Sequence, residues 1–118
     1  MSTYLGEFEQ LILFAILSLR DNAYGMTIRA EIEQRTGVDA SAGAVYTALG
    51  RLEARRFVTS RTAEPTPERA GRRRKYYTLT TEGAAALLRT YSVVRQMADG
   101  LLPELSGLAS SPIESDTN

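Results

Sequence analysis

Apolar residues recur at helical spacing over residues 5–19. Leu5, Phe8, Leu11, Ile12, Ala15, Ile16 and Leu19 share one side, and Leu13, Phe14 and Leu17 fill the other. A helix apolar nearly all round is buried on more than one face. In a chain of 118 residues, a second subunit is the expected source of the extra cover. Asp21 and Asn22 read as a turn, and either can cap the next helix. That second helix is predicted over residues 24–35, with Met26, Ile28, Ala30 and Ile32 as its apolar positions. Gly37 is placed to end it in the left-handed conformation. The connection over residues 37–40 is short, so the chain must turn sharply into a third helix. That helix runs from Ser41 or Ala42 to Arg55, with Ser41 as N-cap and Val45, Ala48, Leu49 and Leu52 as its buried stripe. Its other side carries Tyr46, Thr47, Gly50 and Arg51, with no carboxylate until Glu53.

The pattern then changes. Phe57, Val58, Thr59 and Ser60 favour a strand, as do Tyr76, Tyr77, Thr78 and Leu79. Pro65, Pro67 and Gly71 mark the segment between them as a long hairpin loop. A last helix begins at Thr80 or Thr81, with a threonine as N-cap and Glu82 in its first turn. Along it, Ala84, Leu87, Tyr91, Val94, Ala98 and Leu101 alternate spacings of three and four residues, an a/d seam over roughly three heptads. The first three helices already cover one core, so this seam is expected to meet a partner chain. Pro103 is expected to end or kink the helix, and residues from Ser106 onward to fray. The predicted fold class is mainly α with a small β-hairpin. The expected organisation is a helix-turn-helix unit with a hairpin over residues 1–79, a dimerisation helix over 80–105 and a flexible tail over 106–118.

The formal net charge of zero argues against a polyanionic partner, but its distribution does not. Between Ser41 and Leu79 stand nine arginines and lysines against three carboxylates, a local net of +6. The rest of the chain balances it with five cations against eleven carboxylates. Such asymmetry points to a polyanion-binding surface on an acidic body. The chain has no cysteine and no histidine. That removes the thiol nucleophile, the thiolate metal site and the commonest general base. Lys75 is the only lysine, no carboxylates cluster, and no glycine-rich phosphate loop follows a strand. An enzyme is therefore not expected, and no cofactor or metal is called for. The apolar run over residues 11–17 is far short of the ~20 residues that span a membrane. No basic segment precedes it as in a signal peptide, so a cytoplasmic protein without a membrane partner is expected.

Two helices joined by a tight turn suit a helix-turn-helix, whose second member enters the major groove of double-stranded DNA. The groove-facing candidates are Ser41, Ala42, Tyr46, Thr47 and Arg51. Hydroxyls can bond phosphates or base edges, tyrosine can pack on sugar or a thymine methyl, and arginine can clamp a phosphate. The hairpin adds Arg72, Arg73, Arg74 and Lys75, with Arg69 nearby, for phosphates or the minor groove. Strand alternation would put Arg73 and Lys75 on one face and Arg74 on the other, beside Tyr76.

These residues carry a family resemblance. Gly43-Ala44-Val45-Tyr46-Thr47-Ala48-Leu49-Gly50-Arg51-Leu52-Glu53 resembles the recognition helix of PadR-type transcriptional regulators. The segment 71–83, Gly-Arg-Arg-Arg-Lys-Tyr-Tyr-Thr-Leu-Thr-Thr-Glu-Gly, resembles that family's second signature, and Tyr24-Gly25 matches as well. The length is similar to the family's short branch. The resemblance implies a winged helix-turn-helix repressor that binds a pseudo-palindromic operator as a homodimer, with the last helix paired to its partner around the first helix. It also implies regulation by small, flat or hydrophobic ligands and targets such as efflux pumps, other membrane transporters or detoxifying enzymes. Some short members bind such ligands at the dimer centre against an aromatic of the last helix. Here Val94 stands at that position and Tyr91 is the remaining aromatic. A hydrophobic effector is accordingly expected among Leu11, Ala15, Tyr91, Val94 and Ala98 of two subunits. A second departure is Arg56, where the family often has a glycine. The alternative is a winged-helix protein-interaction module without sequence-specific DNA binding, which has less need of the arginines. A MarR-like regulator, the other related family, usually needs additional helices that this chain is too short to supply.

Overall fold

The computed structural model describes residues 4–69 and 73–110. The element order is α1 (Glu7–Leu19), a 3-10 turn (Arg20–Asn22), α2 (Gly25–Thr36), α3 (Ala42–Ala54), β1 (Val58–Ala63), a second 3-10 turn (Pro67–Arg69), β2 (Arg74–Leu79), α4 (Thr81–Ala98) and α5 (Leu102–Ala109). Three helices, a hairpin and a fourth helix in this order form the winged helix-turn-helix expected, with α5 as an addition.

The core is built from α1, α2, α3 and the base of the hairpin. Ile12, Leu13, Ile16, Ile28, Val45, Leu49, Leu52 and Val58 are all essentially inaccessible to solvent. The predicted stripe of α3 is buried as a set: Val45, Ala48, Leu49 and Leu52. On α1 the two apolar sides have different fates. Leu13 joins the core, whereas Phe14 and Leu17 remain exposed. The helix starts at Glu7, not Leu5, because Gly6 takes the extended N-cap geometry and the N–H groups before the helix are bonded to side chains. The Gly6 N–H donates to Glu9 Oε1 at 3.0 Å, and the Leu5 N–H donates to Thr90 Oγ1 of α4 at 3.1 Å. Neither Asp21 nor Asn22 caps α2. Tyr24 holds the N-cap position, and its N–H donates to Thr27 Oγ1 at 2.9 Å. Gly37 ends α2 in the left-handed conformation at φ 79°, its N–H donating to Glu33 O. Arg29 then reaches across the turn to the Ala40 carbonyl and Asp39, tying α2 to the entry of α3.

The hairpin ladder is longer than predicted. Val58 pairs with Leu79 and the register runs on to Ala63 opposite Arg74. Thr62 and Lys75, polar on a solvent-facing tip, extend the ladder without needing burial. The chain before α2 joins as a third, minimal strand: Tyr24 bridges Tyr76, and the Tyr77 N–H donates to Ala23 O at 2.8 Å.

The C-terminal region corrects two expectations. α4 stops at Ala98, before Pro103, because Asp99 leaves helical geometry and Gly100 takes φ 78°. Pro103 therefore breaks nothing. It lies in the first turn of α5, where its missing N–H costs no hydrogen bond. Residues 106–109, expected to fray, are helical; residues 111–118 lie outside the described residues. The single seam expected on α4 is divided. Leu87 packs on its own domain with Gly83, Ala86 and Thr90, whereas Ala84, Leu88, Tyr91 and Val94 are exposed.

Candidate nucleic-acid interface

The N-terminal half of α3 presents its polar side to solvent. The Ser41 hydroxyl accepts from the Ala44 N–H at 3.0 Å, so the cap is made and the hydroxyl hydrogen stays available. Ala42 and Thr47 are exposed on the same side as Tyr46, which is 62% exposed. Tyr46 is thus no core aromatic. Its ring lies along the start of α2, where a Cβ on Gly25 would come within 3.4 Å of its Cζ and Oη atoms. That is ordinary van der Waals contact, so Gly25 and Tyr46 pack closely without the glycine being required.

The hairpin meets this surface across a groove of about 290 Å³. It is lined by Tyr24, Gly25, Met26 and Tyr46 on one side, and by Glu68, Arg69, Arg73, Arg74 and Lys75 on the other. One wall is aromatic and apolar and the other is cationic, so the groove can receive a phosphate-sugar edge. Strand alternation holds as expected for two residues. Lys75 shares the face of buried Tyr77, and Arg74 shares that of Tyr76. Arg73 precedes the first paired residue. Arg72 lies outside the described residues.

The cations differ in how they are held. Arg73 is exposed, with a long ion pair of 3.9 Å to the exposed Glu64. Lys75 Nζ is 3.3 Å from Glu53 Oε1, and the Ser60 hydroxyl donates to the other carboxylate oxygen at 2.6 Å. The Ser60 hydrogen bond first, and the lysine second, hold the Glu53 carboxyl below its ordinary value. Arg51 and Arg55 flank one carboxylate, Glu9, at 3.7 Å each. Arg51 is therefore drawn toward the start of α1, away from the Tyr46 side of the groove. Arg74 lies 4.0 Å over the Tyr24 ring, and its NH1 donates to the Tyr76 hydroxyl at 3.2 Å, which raises its already high pKa. Burial pushes the neighbouring Tyr77 hydroxyl up as well.

Two further cations belong to this surface: Arg69, expected near the hairpin cluster, and Arg61, which the sequence marks only as part of the local charge. Arg61 stands opposite Tyr76 and lies 4.6 Å over its ring. Counting the pairing outward from Val58 and Leu79 would have found it. Arg69 reaches the groove from the short 3-10 turn, a position no periodicity marks.

The residues singled out for an effector do not share a cavity within one chain. Leu11 and Ala15 face α2 beside Ile32. Tyr91 lines an open apolar concavity of about 470 Å³ between α1 and α4, with Phe14, Leu17 and Leu88. Its ring meets Phe14 edge-on at 6.0 Å between centroids. Val94 is exposed and Ala98 half-buried beyond it. Among the described residues no helix is long and apolar enough to cross a membrane, and no group of three or more acidic residues comes together to hold a metal ion.

Comparison with known proteins gives the same arrangement a context. The model of the transcriptional regulator PadR-like family matches residues 13–89. Among solved structures, a PadR family transcription regulator from Clostridium difficile is 27% identical, with a TM-score of 0.64 over 82% of this chain and 99% of that one. A PadR-like transcription factor from Bacteroides fragilis is 25% identical, with a TM-score of 0.64 over 78% and 84%. A winged-helix DNA-binding protein from STIV shares the fold at 18% identity, with a TM-score of 0.64 over 82% and 97%. Comparison with curated proteins finds no match.

Proposed function

The chain belongs to the PadR-like family of transcriptional regulators, and from that premise we propose that it represses transcription by binding a pseudo-palindromic DNA operator as a homodimer. The observation that carries this reading is the exposed, carboxylate-free face of α3, with Tyr46 62% exposed, set beside the cationic hairpin. In this reading Ser41, Ala42, Tyr46 and Thr47 enter the major groove, and Arg73 takes a flanking phosphate. Arg51 and Lys75, both about half exposed, would share their charge between phosphate and the carboxylates of Glu9 and Glu53.

Dimerisation is supported by the stripe of Ala84, Leu88, Tyr91 and Val94 on α4, beside exposed Phe14 and Leu17 of α1. A contiguous apolar patch of this kind marks an interaction surface. Closing two such faces together would also enclose the apolar concavity at Tyr91, which is where a small hydrophobic effector would act.

Binding to the DNA upstream of the protein's own gene, against an unrelated duplex of equal length at two salt concentrations, tests the reading. Preferential binding that weakens steeply with salt is the expected result. Equal or absent binding to both duplexes would instead favour a protein-interaction module.

A further inference from the structure

The hairpin of a winged helix can contribute to recognition only if its angle to the recognition helix is held. In this chain one arginine sits where that angle is set. Arg74 opens β2, and its side chain touches two segments at once. Its guanidinium lies 4.0 Å over the ring of Tyr24, the residue that begins α2, and donates to the Tyr76 hydroxyl two residues along its own strand at 3.2 Å. The Tyr24 and Tyr76 rings meet edge-on at 5.4 Å, their backbones form an isolated bridge, and Arg61 from β1 covers Tyr76 at 4.6 Å. The order Arg61, Tyr76, Tyr24, Arg74 therefore links both hairpin strands to the helix-turn-helix. One planar guanidinium covers the Tyr24 ring and donates to the Tyr76 hydroxyl at once, whereas an ammonium can sit over a ring but lacks that fixed fork.

We propose that Arg74 is a positioning residue, which pins the hairpin to the start of α2 through Tyr24 and Tyr76 and does not itself neutralise a phosphate. The adjacent Arg73, exposed and outside the ladder, is the phosphate contact. The inference rests on the DNA-binding reading for its functional meaning, while the pin itself is testable without DNA.

The test compares Arg74→Ala, Arg74→Lys, Tyr24→Ala, Tyr24→Phe and Arg73→Ala. Without DNA, Arg74→Ala and Tyr24→Ala should speed hydrogen exchange of the Tyr77 N–H, which bonds Ala23 O. Exchange in α1 should be unchanged. With the upstream duplex, Arg74→Ala, Arg74→Lys and Tyr24→Ala should each weaken binding about tenfold, and the double variant no further. Their salt dependence should match wild type, because no phosphate contact is lost. Tyr24→Phe should bind normally, and Arg73→Ala should lower the salt slope by about 0.9. The proposal is overturned if Tyr77 exchange does not respond to Arg74→Ala. It is equally overturned if Arg74→Ala lowers the salt slope while Arg74→Lys restores binding. A wild-type protein that ignores DNA, with Tyr77 exchange responding as described, would remove the operator reading and leave the pin standing.

Discussion

Arg56 takes the left-handed backbone at φ 66°, where α3 gives way to the strand. Its N–H donates to Glu53 O and its carbonyl accepts from Thr80 Oγ1, so the turn is well bonded in spite of its residue type. A side chain is disfavoured there and glycine is not. Arg56→Gly should therefore stabilise the fold by about 0.5 kcal/mol after glycine's larger unfolded-state entropy is counted, read as a higher urea midpoint. Gly83 is the opposite case. A Cβ there would meet the Phe57 carbonyl oxygen at 2.1 Å and Leu79 Cδ1 at 2.9 Å, and the first of these is backbone that cannot rotate away. Gly83→Ala should destabilise by about 3 kcal/mol by the same measurement. Glu53 gives a pH dependence. Ser60 and Lys75 hold its folded-state pKa below the ordinary 4.5. Its contribution is therefore present above that value and is lost as pH falls through the lower folded-state pKa. Glu53→Gln should lower stability at neutral pH and make its acid limb shallower, so that variant and wild type converge at low pH.

Among the elements, α3 separates stability from function most cleanly. Tyr46 is mostly exposed, so Tyr46→Ala should leave the urea midpoint nearly unchanged while weakening operator binding about tenfold. Ser41→Ala removes the cap on Ala44 and should cost about 1 kcal/mol of stability as well as affinity. Of the fold, α1 and α3 were legible from apolar residues at helical spacing, whereas of the four apolar positions assigned to α2 only Ile28 and Ile32 are buried and Met26 and Ala30 are exposed; Gly37 announced its own left-handed turn. The joint between α4 and α5 was not legible. The apolar spacing runs on through Leu101, and the break comes from the backbone of Asp99 and Gly100, not from Pro103. The bridge from Tyr24 to Tyr76 was also hidden, because it joins residues fifty-two positions apart in sequence through single-residue pairing. Of the candidate interface, the exposed positions on α3 could be read from the phase of its buried stripe. The state of each cation could not. The ion pairs of Arg51 with Glu9 and of Lys75 with Glu53 depend on how α1, α3 and the hairpin pack together.

At the scale of the molecule, the single chain is elongated, 59 × 31 × 23 Å, with a radius of gyration of 17.9 Å. A compact chain of similar length has about 13 Å. The outer half of α4 leaves Tyr91, Val94 and Met97 exposed, and α5 leaves Leu102, Leu105 and Leu108 exposed. Two chains that share these faces would bury them and present two recognition helices in fixed relation. Replacing Leu88 and Tyr91 together by glutamate should halve the sedimenting mass with the helical content retained. The same variant should lose operator affinity, because each half-site alone is bound weakly. The most direct test of the whole reading is footprinting of the protein on the DNA upstream of its own gene, combined with the stoichiometry of the complex. The expected result is two chains per site and two symmetry-related protected patches about one helical turn, or a whole multiple of it, apart. A single chain per duplex, or protection indifferent to sequence, would contradict it.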